Sequence, residues 1–424
     1  MIETRAQKTR ERALLIGLEK QGVSKWELHD SLDELRELAN SAGAEVVDTV
    51  TQKLPKPTAP YYIGRGKAES IKESCQDRQV TSVIFDDELS PAQGRNLENL
   101  FARKVVDRTQ LILDIFAQRA RSREGRLQIE LAQLQYLLPR LTRMWHHLSR
   151  QTGGIGTRGP GETQLEVDRR RVQERIARLE RELEAVRKTR AIQRQGRKRH
   201  QWPVAAVVGY TNAGKSTLLN LLTGADVVTE DKLFATLDPT TRSFVLPNKQ
   251  RVLLTDTVGF LRKLPHTLIE SFKATLEEVR EADLLIHIVD LSHPRVDEQM
   301  EAVDGVIKEL DAYGKQTLIV FNKIDNLPNR ELAESYVKRF PGSVAISART
   351  GEGVNTLVQA LENALSSWRL RSRFRIPSKE SALIAEIHRV GHVLELKYEG
   401  NDALIVAHVP PELAQKLERY AARN

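Results

Sequence analysis

A chain of 424 residues accommodates roughly two to four domains. Its 40% hydrophobic and 29% charged content excludes a disordered chain, and its net charge of +8 suits a polyanionic partner, either nucleic acid or an anionic membrane surface. The single cysteine, Cys75, excludes an intrachain disulfide and fits a reducing, cytoplasmic setting, while no run approaches the ~20 apolar residues of a membrane span and Met1 to Lys8 has no signal-peptide core.

Residues 1–122 alternate between strand-like and helix-like runs. Strands are predicted at 13–17, 45–50, 83–85 and 105–106, with helices at 31–42, 91–101 and 109–120. This alternation predicts a small parallel α/β domain. A Pro-rich loop at 53–62 ends in the glycine turn Tyr62-Ile63-Gly64-Arg65-Gly66-Lys67, which reads equally as an anion contact or as a tight turn.

Between 123 and 200 the period becomes helical. Leu127, Leu131, Leu134, Leu138 and Leu141 form one apolar stripe, which Pro139 should kink or interrupt. Leu165, Val172, Ile176, Leu179, Leu183 and Val186 form a second, near-heptad stripe. The two predict a helical hairpin around a tip rich in glycine, residues 152–161. Arg140, Arg143, Arg150, Arg158 and Arg169 to Arg171 surround the tip with Trp145, His146 and His147, a combination suited to RNA. The mixed charges from Arg175 to Arg190 read instead as solvated helix faces.

Residues 201–368 hold the chemistry. Gly209, Tyr210, Thr211, Asn212, Ala213, Gly214, Lys215, Ser216 and Thr217 fit the phosphate-binding pattern G-x-x-x-x-G-K-[ST]. A buried-strand run precedes them and a helix start follows, so loop N–H groups and the helix dipole face an anion. Lys215 is expected to reach the β- and γ-phosphates, and Ser216 to ligate Mg²⁺. Further stretches follow in order, each after an apolar strand. Asp256, Thr257, Val258 and Gly259 should serve the metal's water and the γ-phosphate, which makes Lys215 and Gly259 the catalytic candidates. Asn322, Lys323, Ile324 and Asp325 come next, where the Asp325 carboxylate can accept from guanine N1–H and its amino group. Ser347, Ala348 and Arg349 close the site, with the Ala348 N–H toward guanine O6. The fold class predicted is α/β, with a doubly wound P-loop GTPase domain at its centre.

The first switch falls between 229 and 242. Phe234, Ala235, Thr236, Leu237 and Asp238 are expected at the nucleotide, with Thr236 as the second Mg²⁺ ligand and Thr240 and Thr241 as competitors. Phe260 stands where Ras-like enzymes carry the Gln that orients the attacking water. Asn212 either helps hold K⁺ beside the phosphates or serves only as a residue tolerant of a left-handed conformation. Residues 369–424 predict a small α+β module, with β-like runs at 381–387, 392–398 and 403–409 and a last helix from Pro411.

The chain resembles the HflX family, GTPases of the Obg-related group. The resemblance spans the whole chain and rests on Tyr62 to Lys67, Asp86-Asp87-Glu88-Leu89-Ser90-Pro91, Asp107-Arg108-Thr109, Gly156 to Glu166, and Thr236-Leu237-Asp238-Pro239-Thr240-Thr241-Arg242. It implies binding to the large ribosomal subunit and its RNA and a role in splitting or rescuing stalled ribosomes under stress; GTP and GDP with Mg²⁺ follow from the motifs, and a monomer is expected. The competing readings are a GTP-dependent RNA-binding protein outside the ribosome and an ATP-using RNA remodeler, the latter opposed by Asp325.

Overall fold

The computed structural model describes residues 11–141, 160–198, 202–224, 233–234, 237–263, 277–366 and 370–422. The predicted arginine- and glycine-rich tip at 142–159, and Ala235 and Thr236 of the first switch, lie outside these residues. The chain forms two compact units. One comprises 1–187 with the short segments 231–237 and 262–272, and the other comprises 188–230, 238–261 and 273–424.

The first unit holds a four-stranded parallel sheet. Its strands are β1 (Arg12–Glu19), β2 (Glu45–Lys53), β3 (Ser82–Phe85) and β4 (Lys104–Asp107), in the order β2-β1-β3-β4. Helices α1 (Lys25–Ser41), α2 (Arg65–Asp77), α3 (Pro91–Phe101) and α4 (Arg108–Arg119) alternate with them. Local chemistry sets two helix starts. Ser24 with Glu27, and Ser90 with Gln93 behind Pro91, each form a reciprocal capping box. Leu14, Ile16, Ile71, Val83, Phe85 and Leu97 form the core under the sheet. The glycine turn before α2 has a packing explanation: Gly64 N–H donates to Gln52 Oε1 at 2.9 Å, and a Cβ there would lie 2.9 Å from Gln52 Nε2.

The Asp86-Asp87 and Asp107-Arg108 pairs build a buried ion network at the carboxyl ends of β3 and β4. Arg108, 2% exposed, pairs with Asp86 at 2.8 Å and also with Glu34. Asp86 also receives Lys263 at 2.5 Å and the Ser31 hydroxyl at 2.7 Å. Asp87 takes the Tyr62 hydroxyl, and Lys20 at 3.0 Å. Phe234 packs edge-on against Phe116 in the same unit, with ring centroids 4.5 Å apart.

Helices α5 (Arg123–Leu141) and α6 (Pro160–Lys198) form the predicted hairpin. Leu127, Leu131, Leu179 and Leu183 are buried between them. Pro139 lies inside α5, and the described helix continues through it to Leu141 without interruption. Arg175 is not merely solvated. It forks onto Glu130 of the facing helix at 2.7 and 2.8 Å.

The second unit is built on a six-stranded sheet. Strands β5 (Val204–Gly209), β6 (Thr240–Val245), β7 (Arg251–Asp256), β8 (Leu284–Asp290), β9 (Thr317–Asn322) and β10 (Val344–Ala345) lie in the order β10-β9-β8-β5-β7-β6. Only β6 runs antiparallel, at one edge. Helices α7 (Lys215–Thr223), α8 (Val296–Glu309), α9 (Glu331–Arg339) and α10 (Val354–Ala364) complete a doubly wound layer. β5 lies between β7 and β8, so its carboxyl end is central, and Val207 lies level with Asp256.

The C-terminal module is a three-stranded antiparallel sheet, order β11-β13-β12, of β11 (Leu370–Pro377), β12 (His392–Glu399) and β13 (Asp402–Val409). Helices α11 (Ser381–Val390) and α12 (Pro411–Lys416) belong to it. The predicted strand at 381–387 is therefore corrected to a helix. Leu383, Ile384 and Ile387 recur at three- and four-residue spacing and face the core, a helical period. The missing strand is β11, whose alternation of Arg371, Arg373 and Arg375 with the buried Phe374 and Ile376 has period two.

Candidate nucleotide site

Four loops leave the carboxyl ends of β5, β7, β9 and β10 on one side of the second unit, because these strands are parallel. The loop after β5 is Tyr210 to Gly214. Gly214 has a φ of 96°, and a Cβ there would lie 2.2 Å from Asn322 Nδ2, so both conformation and space require glycine. Asn212 is left-handed at φ 60°.

Lys215, 6% exposed, curls back over the loop. Its Nζ donates to Tyr210 O at 2.7 Å and to Gly209 O at 3.2 Å. Burial lowers its pKa to about 8; Asp256 opposes the shift and Lys323 adds to it. Ser216 Oγ donates to Asp256 Oδ2 at 2.6 Å. A hydroxyl and a carboxylate this close, at the head of α7, form a hard-oxygen pair that fits Mg²⁺. Thr257 Oγ1 donates to Val207 O, tying this loop to β5. The Thr241 hydroxyl is within 3.0 Å of that of Thr255 on the neighbouring strand.

Gly259 and Phe260 lie directly on the phosphate loop. Phe260 N–H donates to Gly209 O at 3.1 Å, and Thr211 N–H donates to Phe260 O at 2.8 Å. A Cβ on Gly259 would meet Thr211 Cγ2 at 2.7 Å and Lys215 Nζ at 3.0 Å. The Phe260 side chain, 2% exposed, is turned into the core and offers no polar atom.

Asn322 is the connector that motif matching did not reveal. Its Nδ2 donates to Ala213 O at 2.8 Å, and its Oδ1 accepts from Ala348 N at 2.9 Å. One buried side chain thus joins the phosphate loop, β9 and the loop after β10. The Ala348 N–H expected at guanine O6 is here donated to Asn322. Lys323, left-handed at φ 63°, reaches Asp290 Oδ2 at 2.7 Å. Asp290 was not anticipated, although its place directly after an apolar strand is the signal that marked Asp256.

Asp325 meets the Arg349 guanidinium at 2.5 Å. The Ser347 hydroxyl and, further down, Arg349 hold its carboxyl below the ordinary carboxylate range. Ile324 is buried, and its N–H donates to Ile346 O, which aligns the two loops. The second unit therefore brings together the predicted residues from Gly209 to Thr217, Asp256 to Gly259, Asn322 to Asp325 and Ser347 to Arg349. Phe234 and Leu237 group with the first unit, and Asp238 with the second.

A strand-loop-helix phosphate cradle on a doubly wound sheet, with an Asp-x-x-Gly and an Asn-Lys-x-Asp loop beside it, defines a P-loop GTPase. Family models match in three blocks: GTP-binding GTPase N-terminal over residues 29–117, GTP-binding GTPase Middle Region over 119–197, and 50S ribosome-binding GTPase over 204–323. The chain is 48% identical over 411 residues to GTPase HflX of Caldanaerobacter subterraneus subsp. tengcongensis, covering 97% of this chain and 94% of that one. It is 48% identical to GTPase HflX of Escherichia coli, covering 85% of each. A GTP-binding protein of Sulfolobus solfataricus solved in complex with GDP matches at 26% identity and a TM-score of 0.45, over 84% of this chain and 99% of that one. The chain belongs to the HflX family of GTPases. Among the described residues, no helix is long and apolar enough to cross a membrane.

Proposed function

We propose that this GTPase is a switch that binds the large ribosomal subunit and its RNA and uses GTP hydrolysis to split or rescue stalled ribosomes under stress. The observation that carries the proposal is the match of residues 204–323 to the family described as 50S ribosome-binding GTPases. The hairpin of α5 and α6 and the net charge of +8 support it, since a basic arm suits phosphate-rich RNA.

In this reading the loop amides from Asn212 to Ser216 and Lys215 hold the β- and γ-phosphates. Asp325 selects guanine, because adenine offers no donors at those positions and would leave a carboxylate unpaired. Ser216 and Thr236 would hold Mg²⁺, with the Asp256 carboxylate beside Ser216, and the ion would neutralise charge on the β- and γ-oxygens when bound. Asn212 is assigned to K⁺. Phe260 cannot polarise water, so intrinsic hydrolysis is slow and the ribosome raises it. The protein acts as a monomer in the cytoplasm.

Pelleting with purified large subunits tests the ribosomal assignment. A non-hydrolysable GTP analogue should retain the protein on the subunit, GDP should release it, and retention should fall as salt rises. No retention in either nucleotide would shift the function to RNA outside the ribosome, and equal retention in both would remove GTP as the switch.

A further inference from the structure

We propose that Thr211 supplies the hydroxyl that orients the attacking water, the task left open by Phe260. The proposal rests on the GTPase assignment of the family and goes beyond it in naming the group.

Thr211 is 7% exposed, and its Oγ1 is buried without a hydrogen-bond partner among the described residues. Most buried hydroxyls are paired, so an orphan inside a binding site points to a ligand partner. The position is informative. The Thr211 methyl lies 2.7 Å from where a Cβ of Gly259 would stand, and Lys215 Nζ lies 3.0 Å from the same point. Three groups therefore converge there: the lysine for the β- and γ-phosphates, the glycine for the γ-phosphate, and the Thr211 side chain. A ~120° step in χ1, between staggered wells, puts the Thr211 hydroxyl where its methyl stands and the methyl where the hydrogen stood. One such step turns Oγ1 toward Gly259 and the Lys215 ammonium, on the side that Cγ2 now holds.

The backbone keeps Thr211 there regardless of its side chain. Its N–H donates to Phe260 O, and Phe260 N–H returns to Gly209 O. The apolar Phe260 ring is buried and offers the water no polar atom, so the hydroxyl of Thr211 has no competitor from that residue. In the reaction the water oxygen bonds to the γ-phosphorus while the bond from that phosphorus to the β,γ-bridging oxygen breaks. GDP departs with the electron pair, and the water's proton passes to the phosphate product. Thr211 Oγ1 accepts one hydrogen bond from the water and donates its own to a γ-phosphate oxygen, fixing the line of attack. It does not take the proton.

The test is single-turnover GTP hydrolysis by the full chain, with GDP affinity measured alongside. Thr211→Val keeps the shape and removes the hydroxyl, Thr211→Ala removes it without branching, and Thr211→Ser keeps it. Val and Ala should lower the rate by tenfold to a hundredfold or so, as loss of one aimed polar group does elsewhere. Ser should stay within about threefold of wild type, and GDP affinity should change less than about twofold in all three, since the hydroxyl meets only water and the γ-phosphate. Wild-type rates in Val and Ala would overturn the proposal. So would an equal fall in all three variants, or a parallel loss of GDP affinity, either of which would make Thr211 a packing residue of the loop.

Discussion

Asn322 offers the sharpest test of how the site is held together. Its side chain donates to Ala213 O at 2.8 Å, accepts from Ala348 N at 2.9 Å, and is itself 2% exposed. Asn322→Ala deletes both bonds and leaves a carbonyl of the phosphate loop and an amide of the base loop without that partner in a buried setting. Each such orphan costs about 1–3 kcal/mol, so local stability should fall by about 2–5 kcal/mol. The loss should be local first. The Ala348 amide should exchange with solvent ~30-fold or more faster, and the Ala213 loop should open with it. Hydrogen exchange read by mass spectrometry on the full chain reports both segments, and nucleotide titration reports the consequence, a weaker affinity for GTP and GDP alike. Asn322→Asp is the control. Its carboxylate still accepts from Ala348 but repels Ala213 O, so it should not restore the site. Unchanged exchange at Ala348 together with wild-type nucleotide affinity would refute the bridge.

Asp325→Asn should weaken GTP binding about a hundredfold, by loss of a charged acceptor pair, and favour a xanthine nucleotide; retained GTP affinity in calorimetry would remove Asp325 from the base pocket. The pKa of Lys215, lowered to about 8, makes GTP affinity depend on pH. The charged form binds phosphate, so affinity is full below pH 8 and falls as pH rises through it. From pH 7.0 to 8.5 the loss should be about fourfold, and a flat titration would show that the lysine stays charged. Hydrolysis in KCl should exceed that in NaCl at equal ionic strength, and Asn212→Ala should abolish the difference; equal rates in wild type would leave Asn212 as a residue chosen for its φ of 60°.

The phosphate loop, the Asp256 to Gly259 turn and the Asn322 to Asp325 turn were legible as residues because their chemistry is local. A glycine loop between an apolar strand and a helix start exposes its own amides, and an acidic residue directly after a strand lands on the ligand edge of a parallel sheet. The first α/β domain was legible for a related reason, since alternating periods of 2 and 3.6 record which face of each element is buried. Ser381 to Val390 was misread because both periods fit so short and apolar a run, and packing against the three-stranded sheet separates helix from strand. Other features were decided by tertiary structure alone. Asn322 couples residues 109 and 26 positions away, and only the packed structure shows that the Thr211 hydroxyl is buried without a hydrogen-bond partner among the described residues. Nor does any spacing foretell that Phe234 packs on Phe116, or that Lys263 joins the Asp86 and Asp87 carboxylates in the first unit. Side-chain hydrogen bonds and ion pairs of this kind have no period. They depend on which strand ends the sheet order makes neighbours, and that order is set by the packing of the whole core.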